Sequence, residues 1–241
     1  MPSHPHDDHE TSRSRRALHA MRSQIQPGSF PLLLAAIGTL YVLNGLAASS
    51  ELAEGLLLAA HVAVLVASIY ALSARRETLA VAVMMGVVAL AFELRVLGVG
   101  YVPHRLGEDV VSIAFLLWIL VVVLREVVRP TTAERDAVLG ALCGFLMILT
   151  IFTRVHALLE VLVPGSYQGV ALGGVPARPG VVLSTFQYFS TVTLTTTGFG
   201  DIVPVSVPAR LVTGLEAIVG QLYLAVVVAS LVGRAVGRRG Q

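Results

Sequence analysis

The chain predicts an all-α integral membrane protein with six transmembrane helices per subunit and a short re-entrant helix and loop between the last two. Three observations carry that prediction. Of 241 residues, 55% are hydrophobic and only 13% charged, with mean hydropathy +0.79; soluble domains carry about 25% charged residues. Six apolar segments, roughly 31–49, 53–73, 78–98, 109–128, 136–162 and 208–233, each approach the about 20 residues that a helix needs to cross a hydrocarbon core. Between the fifth and sixth lies an apolar stretch too short and too glycine-rich to cross.

Residues 1–30 read as a cytoplasmic tail, first His-rich and then basic. His4, His6, His9, Asp7 and Asp8 suit a transition metal, but the polar composition favours a disordered tail. Residues 14–26 suit a short basic helix on the membrane surface. No small-residue cleavage site follows, so the first span is expected to do the targeting. Pro31 suits the first turn of that span.

The connections then alternate in charge. Arginines fill the N-terminal tail; Glu51 and Glu54 follow the first span; Arg75 and Arg76 follow the second. His104, Arg105 and Glu108 fall in a third connection near 99–108, Arg125, Arg129 and Arg135 in the fourth, and Arg234, Arg238 and Arg239 near the end. The positive-inside rule places both termini in the cytoplasm and the loop after the fifth span outside the plasma membrane. All 17 basic residues are arginine, which points to a GC-rich prokaryotic genome. Glu54, His61, Glu93 and Arg95 lie within a few turns of helix ends, where snorkelling or mutual pairing accounts for them. The single cysteine, Cys143, reads as a small apolar core residue.

Pro164-Gly165 ends the fifth helix. Residues 164–180 hold five glycines and three prolines and read as an irregular extracellular turret. Ser184-Thr185-Phe186-Gln187 fits a capping box, with Ser184 as N-cap and Gln187 returning to its backbone. A helix over 185–195 would be about 16 Å long, too short to span, so it is re-entrant, with its partly negative C-terminal end aimed inward. Thr196-Thr197-Gly198-Phe199-Gly200-Asp201 follows. Alternate glycines permit dihedrals closed to other residues, so successive carbonyls can turn toward one axis. Four copies would stack rings of oxygens able to replace a cation's water shell, with the Thr196 hydroxyl adding a ring below. Gly-Phe-Gly is not a dinucleotide loop, because Val203 stands where its third glycine belongs. The spans show no nucleophile–base pair or metal-ligand cluster, so neither an enzyme nor a cofactor is expected.

The run TTTGFGD closely resembles the T-V-G-Y-G-D selectivity-filter signature of potassium channels. With the fifth helix and the last, residues 136–236 resemble the two-helix ion-channel module of bacterial members of that family. The resemblance implies a passive potassium-selective channel. The backbone of Thr196, Thr197, Gly198 and Phe199 and the Thr196 hydroxyl would coordinate K+, with Gly200 completing the filter. Potassium is then the permeant ion rather than a cofactor. One filter per chain requires a homotetramer. The partners expected are three further copies, the lipid bilayer and K+, and no nucleic acid.

In that family a glycine about twenty residues beyond the filter is a gating hinge, which here is Gly220. The same residue also reads as a small residue for close helix packing. Gln221, Leu224 or Ala225, and Val228 then face the axis by helical spacing. Asp201 rings the outer mouth, and the resemblance implies that it bonds to a polar aromatic on the pore helix, which aligns with Tyr188. Phe199 in place of the usual tyrosine and Thr197 in place of valine depart from the signature and bear on filter rigidity.

Two alternatives exist: a non-selective cation channel, which should carry an altered filter, and a potassium-uptake transporter subunit, which would carry four pore repeats. From Val110 to Leu124 the fourth span has no charge, whereas a voltage sensor needs several arginines in the membrane. Residues 31–130 therefore read as a peripheral four-helix domain with weak voltage dependence. Residues 131–236 read as the pore domain and 237–241 as a short cytoplasmic tail, with no ligand-binding domain expected after Gly233.

Overall fold

The computed structural model describes residues 29–46, 51–72, 76–93, 101–129, 134–170 and 179–239. The histidines and surface helix expected in residues 1–28, together with Arg95, lie outside them, as do the side chains of Glu54, Glu93 and Val228. The described chain is mostly helical: α1 (Phe30–Leu46), α2 (Glu51–Leu72), α3 (Arg76–Glu93), α4 (Tyr101–Val127), α5 (Glu134–Leu162), α6 (Pro179–Leu194) and α7 (Val207–Arg239). Among the described residues, three helical stretches are long and apolar enough to cross a membrane: Leu106–Val127, Arg135–Leu162 and Val207–Val227. α1 is apolar but shorter, at 17 residues.

α5 is the centre, packed against α1, α4, α6 and α7. The faces that meet it follow helical spacing: Leu33, Ile37 and Leu40 on α1, and Phe115, Ile119 and Val123 on α4, are all buried. Cys143 is a fully buried core residue, and its thiol donates weakly to the Phe30 carbonyl oxygen at 3.8 Å.

Three sequence expectations are corrected. The connection placed near 99–108 is helix from Tyr101 onward, so His104, Arg105 and Glu108 lie on α4. Pro103 does not prevent this, because a first-turn residue has no helical partner for its N–H. The short helix expected over 185–195 is α6, which begins at Pro179, and Ser184 does not cap it. Pro179 presets the first turn instead. Ser184 Oγ donates to the Val181 carbonyl at 3.1 Å, and Gln187 Nε2 donates to the Tyr41 carbonyl on α1 at 2.8 Å. Finally, the turret is not wholly irregular. Strand β1 (Tyr167–Gln168) pairs antiparallel with β2 (Val203–Pro204), Tyr167 opposite Pro204. Gly169, at φ +87°, passes so close to this ribbon that an added Cβ would sit 1.9 Å from the Asp201 carbonyl oxygen. The ribbon and glycine thus brace the segment leaving the TTTGFGD loop.

Candidate functional site

The loop after α6 is re-anchored on the end of its own helix. The amides of Thr197 and Gly198 both donate to the Val192 carbonyl, at 2.9 and 3.3 Å, and Thr196 N donates to Thr193 O at 2.9 Å. From there the backbone alternates in hand. Thr196, Gly198 and Gly200 have φ of +59°, +59° and +78°, while Thr197 and Phe199 between them do not turn positive. Alternation of hand is the backbone pattern that lets successive carbonyls share one side. Glycine adopts such φ freely. Threonine does not, at a cost of about 1–2 kcal/mol. A β-branched residue held there marks a place that its surroundings over-determine. Two partners hold Thr196: the bond to Thr193, and the Gln221 Nε2 amide, 3.2 Å from its Oγ1.

At the Asp201 end of the loop, Tyr188 Oη donates to Asp201 Oδ2 at 2.7 Å, so the contact expected between them is present. The Tyr188 ring lies parallel to Phe199 within 7°, with centroids 6.5 Å apart. Phe199 is 70% exposed in the single chain. Tyr188's hydrogen bond, helped by backbone donors, holds the Asp201 carboxyl below its ordinary pKa. A depressed carboxyl pKa means the link is intact above the ordinary carboxylate range and is lost only as pH falls through the lowered value. The Tyr188–Asp201 link is therefore expected to persist on acidification to about pH 4, checked by a pH titration of the protein.

At the Thr196 end, Gln221, Leu224 and Ala225 are exposed on α7, and Gln221 reaches the loop directly. Gly220 touches the end of α6: an added Cβ would lie 2.3 Å from the Leu194 carbonyl oxygen. Close packing at this glycine is therefore a structural fact.

Two buried polar clusters were not anticipated from the sequence. In the first, Arg154 of α5 donates through Nη1 to Asp109 Oδ1 at 3.0 Å, with Glu108 Oε1 at 3.7 Å. Its Nη2 donates to His61 Nε2 at 2.8 Å, which makes that ring nitrogen the acceptor. His61 is thus paired across helices rather than snorkelling. Arg154 ties α5 to α4 and α2 and is no loose charge free to move in a field. In the second, His156, Ser190 and Glu216 are fully buried and linked, with Tyr167 at the outer end. Burial and the nearby Glu216 and Glu160 carboxylates push the Tyr167 hydroxyl above its ordinary pKa. The available signal was an ionisable residue inside an apolar run: Arg154 and His156 in α5, and Glu216 one turn before Gly220.

Residues 174–236 match the model of a family described as an ion channel. No curated protein and no solved structure matches the chain.

Proposed function

With residues 174–236 an ion-channel family segment, we propose that the chain is one subunit of a homotetrameric, potassium-selective channel whose filter is Thr196–Gly200. The observation that carries this reading is the alternating hand of Thr196 to Gly200 at the end of a short helix. In the tetramer, the carbonyls of Thr196, Thr197, Gly198 and Phe199 and the Thr196 hydroxyl line one axis and take over from the potassium ion's water shell. Four Asp201 carboxylates concentrate cations at the outer mouth. The C-terminal end of α6 adds its partial negative charge on the inner side. At 16 residues α6 is about 24 Å long, short of the roughly 30 Å core, which supports a re-entrant helix rather than a span.

Assembly is supported by α7. Only 11% of its apolar stretch is buried within one chain, against 61% for α5. The exposed residues Leu211, Leu215, Ile218, Leu222 and Val226 recur at helical spacing. Three further copies and lipid cover them. Residues 131–236 then form the pore domain in the plasma membrane. Residues 31–130 form a peripheral transmembrane domain, and the tails 1–30 and 237–241 lie in the cytoplasm. Conduction is passive, without catalysis.

Two outcomes follow from this reading. Gln221→Cys is expected to make conduction blockable by a thiol reagent added from the cytoplasmic side, because that face of α7 meets the cavity; labelling of the cysteine without block would contradict it. Tyr188→Phe removes the donor to Asp201 while keeping the ring beside Phe199. It should leave assembly and selectivity near wild type and speed inactivation several-fold, measured as current decay in planar bilayers. The function itself is tested in proteoliposomes: potassium efflux should exceed sodium efflux at equal gradients, and equal fluxes would overturn it.

A further inference from the structure

Behind the filter, a continuous chain of hydrogen bonds joins four separate segments. Ser190 Oγ on α6 donates to Glu216 Oε1 on α7 at 2.6 Å. Glu216 Oε2 meets His156 Nε2 on α5 at 2.8 Å, and His156 Nδ1 meets the Tyr167 hydroxyl on β1 at 2.5 Å. His156, Ser190 and Glu216 are all fully buried, and the imidazole stacks near the Phe186 ring and meets the Phe189 ring edge-on, at 6.4 and 5.0 Å between centroids. The chain closes with either proton arrangement. With Glu216 ionised, the donors run from Tyr167 to His156 to Glu216; with the carboxyl protonated, the same two bonds reverse. Ser190 donates to Oε1 in both.

The placement of this chain relates it to the filter. Ser190 lies one turn before Leu194, and Glu216 one turn before Gly220. The bare Gly220 backbone seats against the Leu194 carbonyl. α7 therefore grips the last turn of α6 at two points four residues apart on each helix: a hydrogen bond at Ser190 and a backbone seat at Leu194. Between them sits Val192, whose carbonyl receives the amides of Thr197 and Gly198. We propose that Glu216 is a positioning residue for ion selection: with His156 behind it, it fixes the last turn of α6 and thereby the backbone of Thr197 and Gly198. This rests on the reading of 196–200 as the filter, but the clasp itself is a claim about geometry and can be tested apart from it.

Full-length wild type, Ser190→Ala, Glu216→Ala and Glu216→Gln are compared as detergent-solubilised assemblies by hydrogen–deuterium exchange, and in planar bilayers by current decay. Glutamine can accept from Ser190 and donate to His156 Nε2, which then donates through Nδ1 to Tyr167, so the chain closes without charge. Exchange at Thr197 and Gly198 and the rate of current decay should both rise roughly tenfold or more in Glu216→Ala, which strands two buried polar groups. Both should rise less in Ser190→Ala and stay within about threefold of wild type in Glu216→Gln. Wild-type exchange and decay in Ser190→Ala and Glu216→Ala would overturn the proposal. So would equal damage in Glu216→Gln and Glu216→Ala, or a uniform rise along α5 and α7 without focus at 197–198. If Glu216→Ala does not assemble, Ser190→Ala decides alone, since it removes one hydroxyl and leaves the Glu216–His156 bond. If wild type passes no potassium, the channel reading fails while the exchange comparison still decides the clasp.

Discussion

Gly198→Ala is expected to abolish potassium-selective flux. Gly198 holds φ +59°, and within one chain nothing lies within 4 Å of where a Cβ would go, so no clash inside the subunit opposes the substitution. Its effect is confined to the backbone. An alanine in the left-handed region costs about 1–2 kcal/mol, and in a tetramer that cost recurs in every subunit around one axis. The cheapest relief is to turn residue 198 back to negative φ, which breaks the alternation of hand and turns a carbonyl away from the shared side. Four such carbonyls missing from the ion path remove a complete ring. Because no atom of its own subunit opposes the new methyl group, folding of the subunit should be near wild type, and where assembly is also retained the loss reads as a defect of conduction. The check is paired: size-exclusion chromatography for assembly, and potassium and sodium efflux from proteoliposomes. Wild-type permeability in an assembled Gly198→Ala protein would remove the filter assignment.

Gly220→Ala should be as damaging by a different route. Here the backbone conformation is ordinary helix and the obstruction is steric, with the new Cβ 2.3 Å from the Leu194 carbonyl oxygen and 3.1 Å from its Cδ1. A side-chain tip could swing aside, but a carbonyl at the end of α6 moves only with the helix. Overpacking of this kind costs about 1–3 kcal/mol per subunit. The displaced turn is the one that anchors Thr197 and Gly198. Thermal stability of the assembled protein should fall, and the surviving fraction should discriminate less between potassium and sodium. If Gly220 acted only as a hinge, the alanine variant would keep stability and selectivity and change only how often the pore opens. Those two outcomes separate close packing from hinge motion in one preparation.

The parts of this molecule written in local pattern were legible. The fifth apolar segment, read as 136–162, matches α5 to within two residues at its start, because a long uninterrupted run bounded by Pro164-Gly165 leaves little choice. The TTTGFGD loop announced itself through the spacing of Gly198 and Gly200, and the Tyr188–Asp201 contact followed from alignment along it. What was missed depends on partners distant in sequence. Gln187 looked like the returning half of a capping box, yet its amide is committed to Tyr41, 146 residues earlier. Arg154 finds Asp109 across 45 residues and His61 across 93. Glu216 finds His156 across 60. Hydropathy marks each as an isolated polar residue in an apolar run and cannot pair them. The left-handed Thr196 was invisible for a further reason: a β-branched residue signals the opposite backbone preference, and only its bonds to Thr193 and Gln221 account for it.

The most direct test of the central claim is the reversal potential of purified wild-type protein in a planar bilayer with potassium on one side and sodium on the other. Carbonyl rings sized by the alternating backbone of residues 196–200 should displace it strongly toward the potassium equilibrium potential, by about 59 mV for each decade of permeability ratio. A steady current that reverses near zero millivolts would mean that potassium and sodium pass alike, and would contradict it.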